Sequence, residues 1–130
     1  EEQVQLDTVR AQVIATEHAT LNDDPTTLLF NIPPAYWIDL NAYDPVATAQ
    51  QVTLPMLILQ GERDYQVTLA DFVLWQVGLG GRDDVTFTLY PTLNHLFMVG
   101  EGVPSPEEYQ TQGHVSADVI RDIADWIHGL

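Results

Sequence analysis

Asp64 and His95 are the residues of this sequence whose types and positions favour catalytic chemistry. Asp64 follows an apolar run at 55–61, and His95 follows a second run at 85–90. Each is therefore expected in a loop at the carboxyl end of a strand, the edge where open α/β sheets keep their active sites. A carboxylate can hold the Nδ1 proton of an imidazole and stabilise the imidazolium formed during acyl transfer. The pair would supply the acid and the base of a catalytic triad.

The third member of such a triad, a nucleophile, is not evident in the chain. Ser105 lies between two prolines and lacks the glycines of a nucleophile elbow, and Ser116 is explained as a helix cap. There is no cysteine, which excludes thiolate catalysis and Cys-based zinc sites. We therefore expect the 130 residues by themselves to hydrolyse nothing.

Each candidate residue also has a purely structural interpretation. Asp64 can close a turn through an Asx-type hydrogen bond, and His95 can be a partly buried histidine bonded to the backbone. Their occurrence after successive strands favours the catalytic interpretation. His18 and His128 fall near predicted helix C-termini, where the helix dipole favours a cation, and His114 receives no role.

The charge of the chain argues against some classes of binding partner. The chain has 19 acidic and four basic residues and a formal net charge of -15. Such a surface repels phosphate backbones and anionic lipid, so we expect neither nucleic acid nor a membrane as partner. The pairs Asp23-Asp24 and Asp83-Asp84 lack the spacing of a calcium-binding loop and are explained as turns. We expect no metal and no cofactor, and the sequence leaves localisation open.

Hydrophobic periodicity and turn residues predict the order of the elements. The predicted elements are an amphipathic helix over 2–20, short helices at 25–30, 35–41 and 46–52, a strand at 56–59, a helix from a Thr68 cap to Leu79, a strand at 85–90, a long loop and a final helix capped by Ser116. The apolar positions of the two outer helices are Leu6, Val9, Val13 and Ile14 in the first and Val119, Ile120, Ile123, Trp126 and Ile127 in the last.

The two strands differ in pattern. Residues 56–59 are all apolar, which is typical of a parallel strand covered on both faces and flanked on both edges. Residues 85–90 alternate, as expected nearer the edge of a sheet. Two strands alone do not make a stable domain. We therefore expect the C-terminal portion of a larger α/β domain, whose exposed strand edge pairs with the missing N-terminal half or by self-association.

Three segments carry a resemblance to a known family. They are residues 37–45, residues 57–68 with Gly61 three positions before Asp64, and residues 90–97 with Asn94-His95. Together they resemble bacterial α/β-hydrolase serine esterases, most closely the EstD-like carboxylesterases and more loosely the serine aminopeptidases and dienelactone hydrolases. The resemblance spans roughly residues 36 to 127.

The resemblance implies a fold and roles for particular residues. Residues 1–45 would be a helical lid remnant, and residues 46–130 the C-terminal part of the α/β-hydrolase core. Asp64 resembles the triad acid and His95 the triad base, while the Gly-x-Ser-x-Gly elbow of the family has no counterpart here. Trp37 and Tyr65 are the candidate substrate-binding residues, because ester substrates need a largely apolar cleft. The substrate of the whole enzyme would be a small-molecule carboxylic ester.

Two other functions remain open from the sequence. An aminopeptidase or a dienelactone hydrolase would use the same two residues, and a substrate panel separates them from a carboxylesterase. From a different class, the chain could be a non-catalytic binding or assembly module.

Overall fold

The computed structural model describes residues 2–130, which fall into two compact units. One unit ends at Pro45, and the other comprises Val46–Leu130. Helices and two parallel strands make up the chain, a partial α/β arrangement. Within residues 2–130, no helix combines the length and the apolar character needed to cross a bilayer. The lid and core roles of the two segments stay predictions.

The first unit is helical. Its elements are α1 (Glu2–Glu17), two 3-10 turns (Pro25–Thr27 and Leu29–Asn31) and α2 (Pro34–Ala42). Asp24 caps the first of these turns by accepting the N–H of Thr26 at 2.9 Å. The predicted short helix at 25–30 is thus two 3-10 turns rather than one helix.

Thr16 ties the end of α1 to the rest of this unit. Its hydroxyl accepts the N–H of Leu29 at 3.1 Å, and its carbonyl accepts the side-chain amide of Asn41 on α2 at 2.9 Å. Leu28, Pro34 and Trp37 are the buried apolar side chains of the described part of the unit. Thr16 and these side chains therefore hold α1, the 3-10 turns and α2 together.

The apolar stripe predicted for α1 is not buried in this chain. Leu6, Val9, Val13 and Ile14 are all exposed, and the helix ends at Glu17 instead of residue 20. Periodicity correctly predicted the helix, but nothing within the described part of the chain covers its apolar positions.

The second unit contains the sheet. Its elements are α3 (Pro45–Gln50), β1 (Met56–Gly61), α4 (Leu69–Leu79), β2 (Val85–Tyr90), a 3-10 helix (Pro106–Gln110) and α5 (Ala117–His128). The long loop predicted after His95 therefore contains the 3-10 helix. At the start of α4, the N–H of Thr68 donates to the Asp71 carboxylate at 2.8 Å, half of a capping box that fixes the helix start.

β1 and β2 run parallel, with Met56 opposite Val85 and Gly61 opposite Tyr90. The all-apolar pattern of β1 is typical of a strand with neighbours on both edges, and the two-stranded sheet agrees with the prediction that this chain lacks one of those neighbours. Among residues 2–130, β2 is its one partner strand, and residues 56–59 are only half-buried. A two-stranded sheet leaves the far edge of β1 open, so its apolar side chains lack the cover that the sequence pattern implies.

A small core lies behind the carboxyl ends of the strands. Tyr90, Leu93 and Val119 are its buried members, and Leu59 and Phe97 pack against them. Other apolar residues predicted on the same side of α5, namely Ile120, Ile123 and Ile127, are exposed. Val119 thus anchors α5 to the sheet, and Trp126 is half-buried, while the three isoleucines are uncovered.

Gly61 allows the loops after the two strands to approach each other. A Cβ at this position would lie 2.4 Å from the carbonyl oxygen of Leu93 and 2.8 Å from that of Asn94. Real Cβ atoms do not come this near to backbone oxygen. The residue is therefore required by close approach of two backbones at the end of the sheet.

We expect Gly61→Ala to destabilise the chain by about 1 to 3 kcal/mol, because the added methyl forces the two loops apart. Urea unfolding followed by circular dichroism measures this change. Gly81→Ala is the matched control, since a Cβ there meets no atom within 4 Å. Equal free energies of unfolding for the two variants would contradict the close-approach argument.

Candidate active site

Asp64 uses its two carboxylate oxygens for two different purposes. Oδ1 accepts the backbone N–H groups of Gln66 and Val67, both at 2.9 Å. Oδ2 lies 2.7 Å from Nδ1 of His95. Asp64 therefore makes both the Asx-type turn and the contact with His95. The turn holds the carboxylate in position for that contact.

Gln60, the penultimate residue of β1, shapes the loop that carries Asp64. Its buried side-chain amide donates to the carbonyl of Val67 at 2.8 Å and to that of Gly61 at 3.0 Å. These bonds join the start of the loop to its end. The loop is consequently closed around the carboxylate by hydrogen bonds that do not involve His95.

His95 lies in a tight turn that is organised by the preceding residue. Asn94 is 1% exposed, and its Oδ1 accepts the N–H groups of Leu96 at 3.0 Å and Met98 at 3.2 Å. The N–H of Phe97 in turn donates to the Asn94 carbonyl at 2.9 Å. This turn projects the imidazole out of the fold, and the His95 side chain is 40% exposed.

The environment of Asp64 keeps its carboxylate ionised. Burial of the side chain, which is 6% exposed, acts to raise its pKa. The N–H of Val67, the ring of His95 and the N–H of Gln66 outweigh burial and hold the pKa of Asp64 below its ordinary value. An ionised carboxylate only accepts hydrogen bonds, so the shared proton belongs to Nδ1 of His95.

This tautomer determines what the imidazole can do. With Nδ1 bound to Asp64, Nε2 carries the lone pair of the neutral ring, and it has no hydrogen-bond partner among residues 2–130. Such a nitrogen can take a proton from a nearby hydroxyl and later return it. The arrangement is chemically competent as a general base with an orienting carboxylate.

A shallow cavity of about 200 Å³ adjoins the pair. Both candidate residues line it, together with Leu59, Gln60, Gly61, Val67 and Phe97. Its wall is mostly apolar, which suits an uncharged organic group better than a highly hydrated one.

Neither predicted substrate-binding residue is among those that line this cavity. Tyr65 is not among the lining residues and stacks on Tyr109 with a centroid separation of 5.8 Å. Trp37 belongs to the first unit, where it is buried in α2 and packs edge-on against Tyr36 at 5.1 Å. Contact of either residue with a substrate stays a prediction.

Ser116, Asp23 and Asp84 have structural partners. Ser116 caps α5 by accepting the N–H of Asp118 at 3.3 Å, as predicted. Asp23 accepts the N–H of Thr20 at 2.6 Å, and Asp84 pairs with Arg82 at 2.7 Å. In the described part of the chain, no three acidic or histidine side chains are grouped as a metal site requires.

Sequence reasoning missed three polar residues that organise the site: Gln60, Asn94 and Glu108. Asn94 offered a local signal, since asparagine before a candidate base often closes a turn through its side chain. Glu108 offered none, because its side-chain contact with Asn94 spans 14 residues and its contact with Arg63 spans 45.

The lowered pKa of Asp64 links stability to pH. Its folded-state pKa lies below the ordinary 3.8, so the ionised carboxylate stabilises the folded chain above that pH. This stabilisation is lost as the pH falls through the folded-state pKa. We expect Asp64→Asn to be less stable than the unaltered chain at neutral pH and to approach it in acid. Urea unfolding at a series of pH values measures the difference.

Asp83→Asn, in an exposed turn, is the control for this titration, and its difference from the unaltered chain should stay nearly constant. A stability gap for Asp64→Asn that widened as the pH fell would contradict the proposed linkage.

Comparisons with known proteins bear on the family. No family model matches the sequence, and no solved structure matches it. Esterase EstD of Thermotoga maritima is 42% identical over 103 residues, which cover 79% of this chain and 25% of EstD. The chain thus spans about a quarter of the length of this relative. Over about four fifths of its length the chain is related to the EstD-like esterases, which confirms the resemblance predicted from the sequence.

Proposed function

We propose that this chain is the C-terminal part of a serine carboxylesterase of the α/β-hydrolase fold and carries the acid and the base of its triad. The observation that supports the proposal is the 2.7 Å contact between His95 Nδ1 and Asp64 Oδ2 at the carboxyl ends of adjacent parallel strands. In this proposal the nucleophilic serine belongs to a part of the enzyme outside this chain.

The contact suits a two-step acyl transfer. The serine oxygen attacks the ester carbonyl carbon while Nε2 of His95 takes the hydroxyl proton, and Asp64 stabilises the resulting imidazolium. Cleavage of the ester C–O bond returns that proton to the departing alcohol oxygen. Nε2 then takes a proton from water, the resulting hydroxide attacks the acyl carbon, and the serine leaves with the proton restored. The reaction requires no cofactor.

The lid and core assignments form part of the same proposal. The strand, helix and strand formed by β1, α4 and β2 correspond to the end of a doubly wound sheet, with the acid and the base after successive strands. The helices of the first unit, α1 and α2, would belong to the lid remnant.

We further propose that the remaining sheet of the esterase pairs with the free edge of β1. An apolar cavity of about 490 Å³ lies there, lined by Ala49, Met56, Leu57, Ile58 and Trp75. Unpaired strand edges beside apolar side chains are templates for further strands. A chain that spans a quarter of its esterase relative leaves ample sequence to supply such a strand.

The proposed roles can be tested in a chimera, in which this chain replaces the matched part of EstD. We expect the chimera to hydrolyse short p-nitrophenyl esters. Asp64→Asn should lower kcat about 10⁴-fold, because the wrong tautomer of His95 is then favoured, and His95→Ala should lower it at least as much. Initial rates across substrate concentrations give kcat and KM.

His128→Ala is the matched control, since His128 ends α5 and lies outside the cavity of the Asp64 and His95 pair. The control should retain the kcat of the chimera. Full activity of the His95→Ala chimera would refute the assigned roles.

The pairing proposal predicts self-association of the 130-residue chain when no other strand is supplied. Leu57→Asp should shift the chain to monomer, because a charge beside the strand edge opposes pairing. Sedimentation velocity measures the species present. Val103→Asp introduces the same charge at an exposed loop position and should leave association unchanged. A well-folded monomer of the unaltered chain would contradict the proposal.

A further inference from the structure

Glu108, on the 3-10 helix Pro106–Gln110, contacts both loops of the candidate site. One carboxylate oxygen pairs with the guanidinium of Arg63, and the other accepts the side-chain amide of Asn94 at 3.1 Å. Arg63 directly precedes Asp64, and Asn94 directly precedes His95. A single carboxylate thus joins the residues next to the acid and next to the base.

These contacts are shielded from water. The side chains of Arg63 and Glu108 are each 14% exposed. Arg63 also donates to the carbonyls of Gly102 at 2.7 Å and Glu101 at 3.0 Å. Water competes little for charged groups that are buried in this way. The Arg63 and Glu108 side chains are therefore held in place more firmly than those of an exposed ion pair.

Gly100 makes room for the ion pair. A Cβ at this position would lie 2.7 Å from each carboxylate oxygen of Glu108 and 2.8 Å from Nε of Arg63. The loop backbone therefore packs directly on the two charged groups, and little space remains for them to move.

The 3-10 helix also contacts the loop of Asp64 on the side that follows Asp64 in sequence. Tyr109 stacks on Tyr65, and its hydroxyl accepts the side-chain amide of Gln66 at 3.0 Å. Asp64 consequently lies between two neighbours, Arg63 and Tyr65, that are both held by the same short helix.

We propose that Glu108 is a positioning residue that keeps Asp64 and His95 within hydrogen-bond distance by binding one loop with each carboxylate oxygen. The inference rests on the proposed esterase function and adds a residue that does not touch the substrate. A carboxylate is needed at position 108 because it has two acceptor oxygens, whereas an amide has one. Glutamine at position 108 would place an NH₂ donor where one of the two oxygens now accepts, so the contact with one of the two loops is lost in the present geometry.

The first test compares Glu108→Gln with Glu107→Gln in the EstD chimera. Each change removes one negative charge from the same 3-10 helix. Glu107 makes neither of the two contacts by which Glu108 binds the loops. Glu108→Gln should lower kcat about tenfold to a hundredfold with KM nearly unchanged, because the acid and the base are displaced while the substrate cavity persists. Glu107→Gln should behave as the unaltered chimera. Equal kcat for the two variants would overturn the proposal.

A second variant separates positioning from folding. Glu108→Gln leaves the largely buried Arg63 charge without an opposite charge beside it, which by itself destabilises the fold. The double variant Arg63→Leu with Glu108→Leu removes both charges and should fold, yet its kcat should stay low. Recovery of the unaltered kcat in the double variant would assign the loss to the lone charge and overturn the proposal.

A spectroscopic test on the 130-residue chain does not depend on activity. The His95 Nδ1 proton shared with Asp64 should give a strongly downfield resonance in the unaltered chain and in Glu107→Gln. In Glu108→Gln it should shift upfield or broaden. An unchanged resonance in Glu108→Gln, or no such resonance in the unaltered chain, would overturn the proposal.

The two kinds of test distinguish this inference from the proposed function. An inactive chimera with a resonance that depends on Glu108 would refute the esterase function and support the positioning role. An active chimera that needs Asp64 and His95 but not Glu108 would support the esterase function and refute the positioning role.

Discussion

The parallel register of β1 and β2 is the constraint on which the candidate site depends. Because Gly61 lies opposite Tyr90, both strands end at the same edge and their loops leave in the same direction. The missing side chain of Gly61 then allows those loops to touch. Only under both conditions can Asp64 and His95 meet at 2.7 Å. An antiparallel pair would place the two loops at opposite ends of the sheet.

Two kinds of hydrogen bond build the site: bonds between residues close in sequence and bonds between residues far apart in sequence. Gln60 and the N–H groups near Asp64 close the acid loop, and Asn94 closes the base loop, all over a few residues. Glu108 then joins the two loops across a long stretch of sequence. The local bonds set the shape of each loop, whereas the distant ones set the position of one loop relative to the other.

Much apolar surface remains uncovered, and the exposed large apolar side chains are concentrated on α1, α4 and α5. The buried apolar side chains of the second unit are few, namely Phe72, Leu79, Tyr90, Leu93 and Val119. Large exposed apolar patches mark surfaces that bind another partner. In the proposed esterase, the remaining sheet would cover β1, which accounts for an apolar strand that this chain leaves half-buried.

The sequence by itself determined the two strands, the α-helices, the caps at Thr68 and Ser116, and the occurrence of Asp64 and His95 in loops after strands. These features follow from periodicity and turn chemistry over a few neighbouring residues. Only the tertiary structure decided which apolar positions are buried, and that Glu108 reaches both loops. Burial and long-range hydrogen bonds depend on which segments meet in space, and residues 14 and 45 positions apart leave no local pattern to indicate their contact.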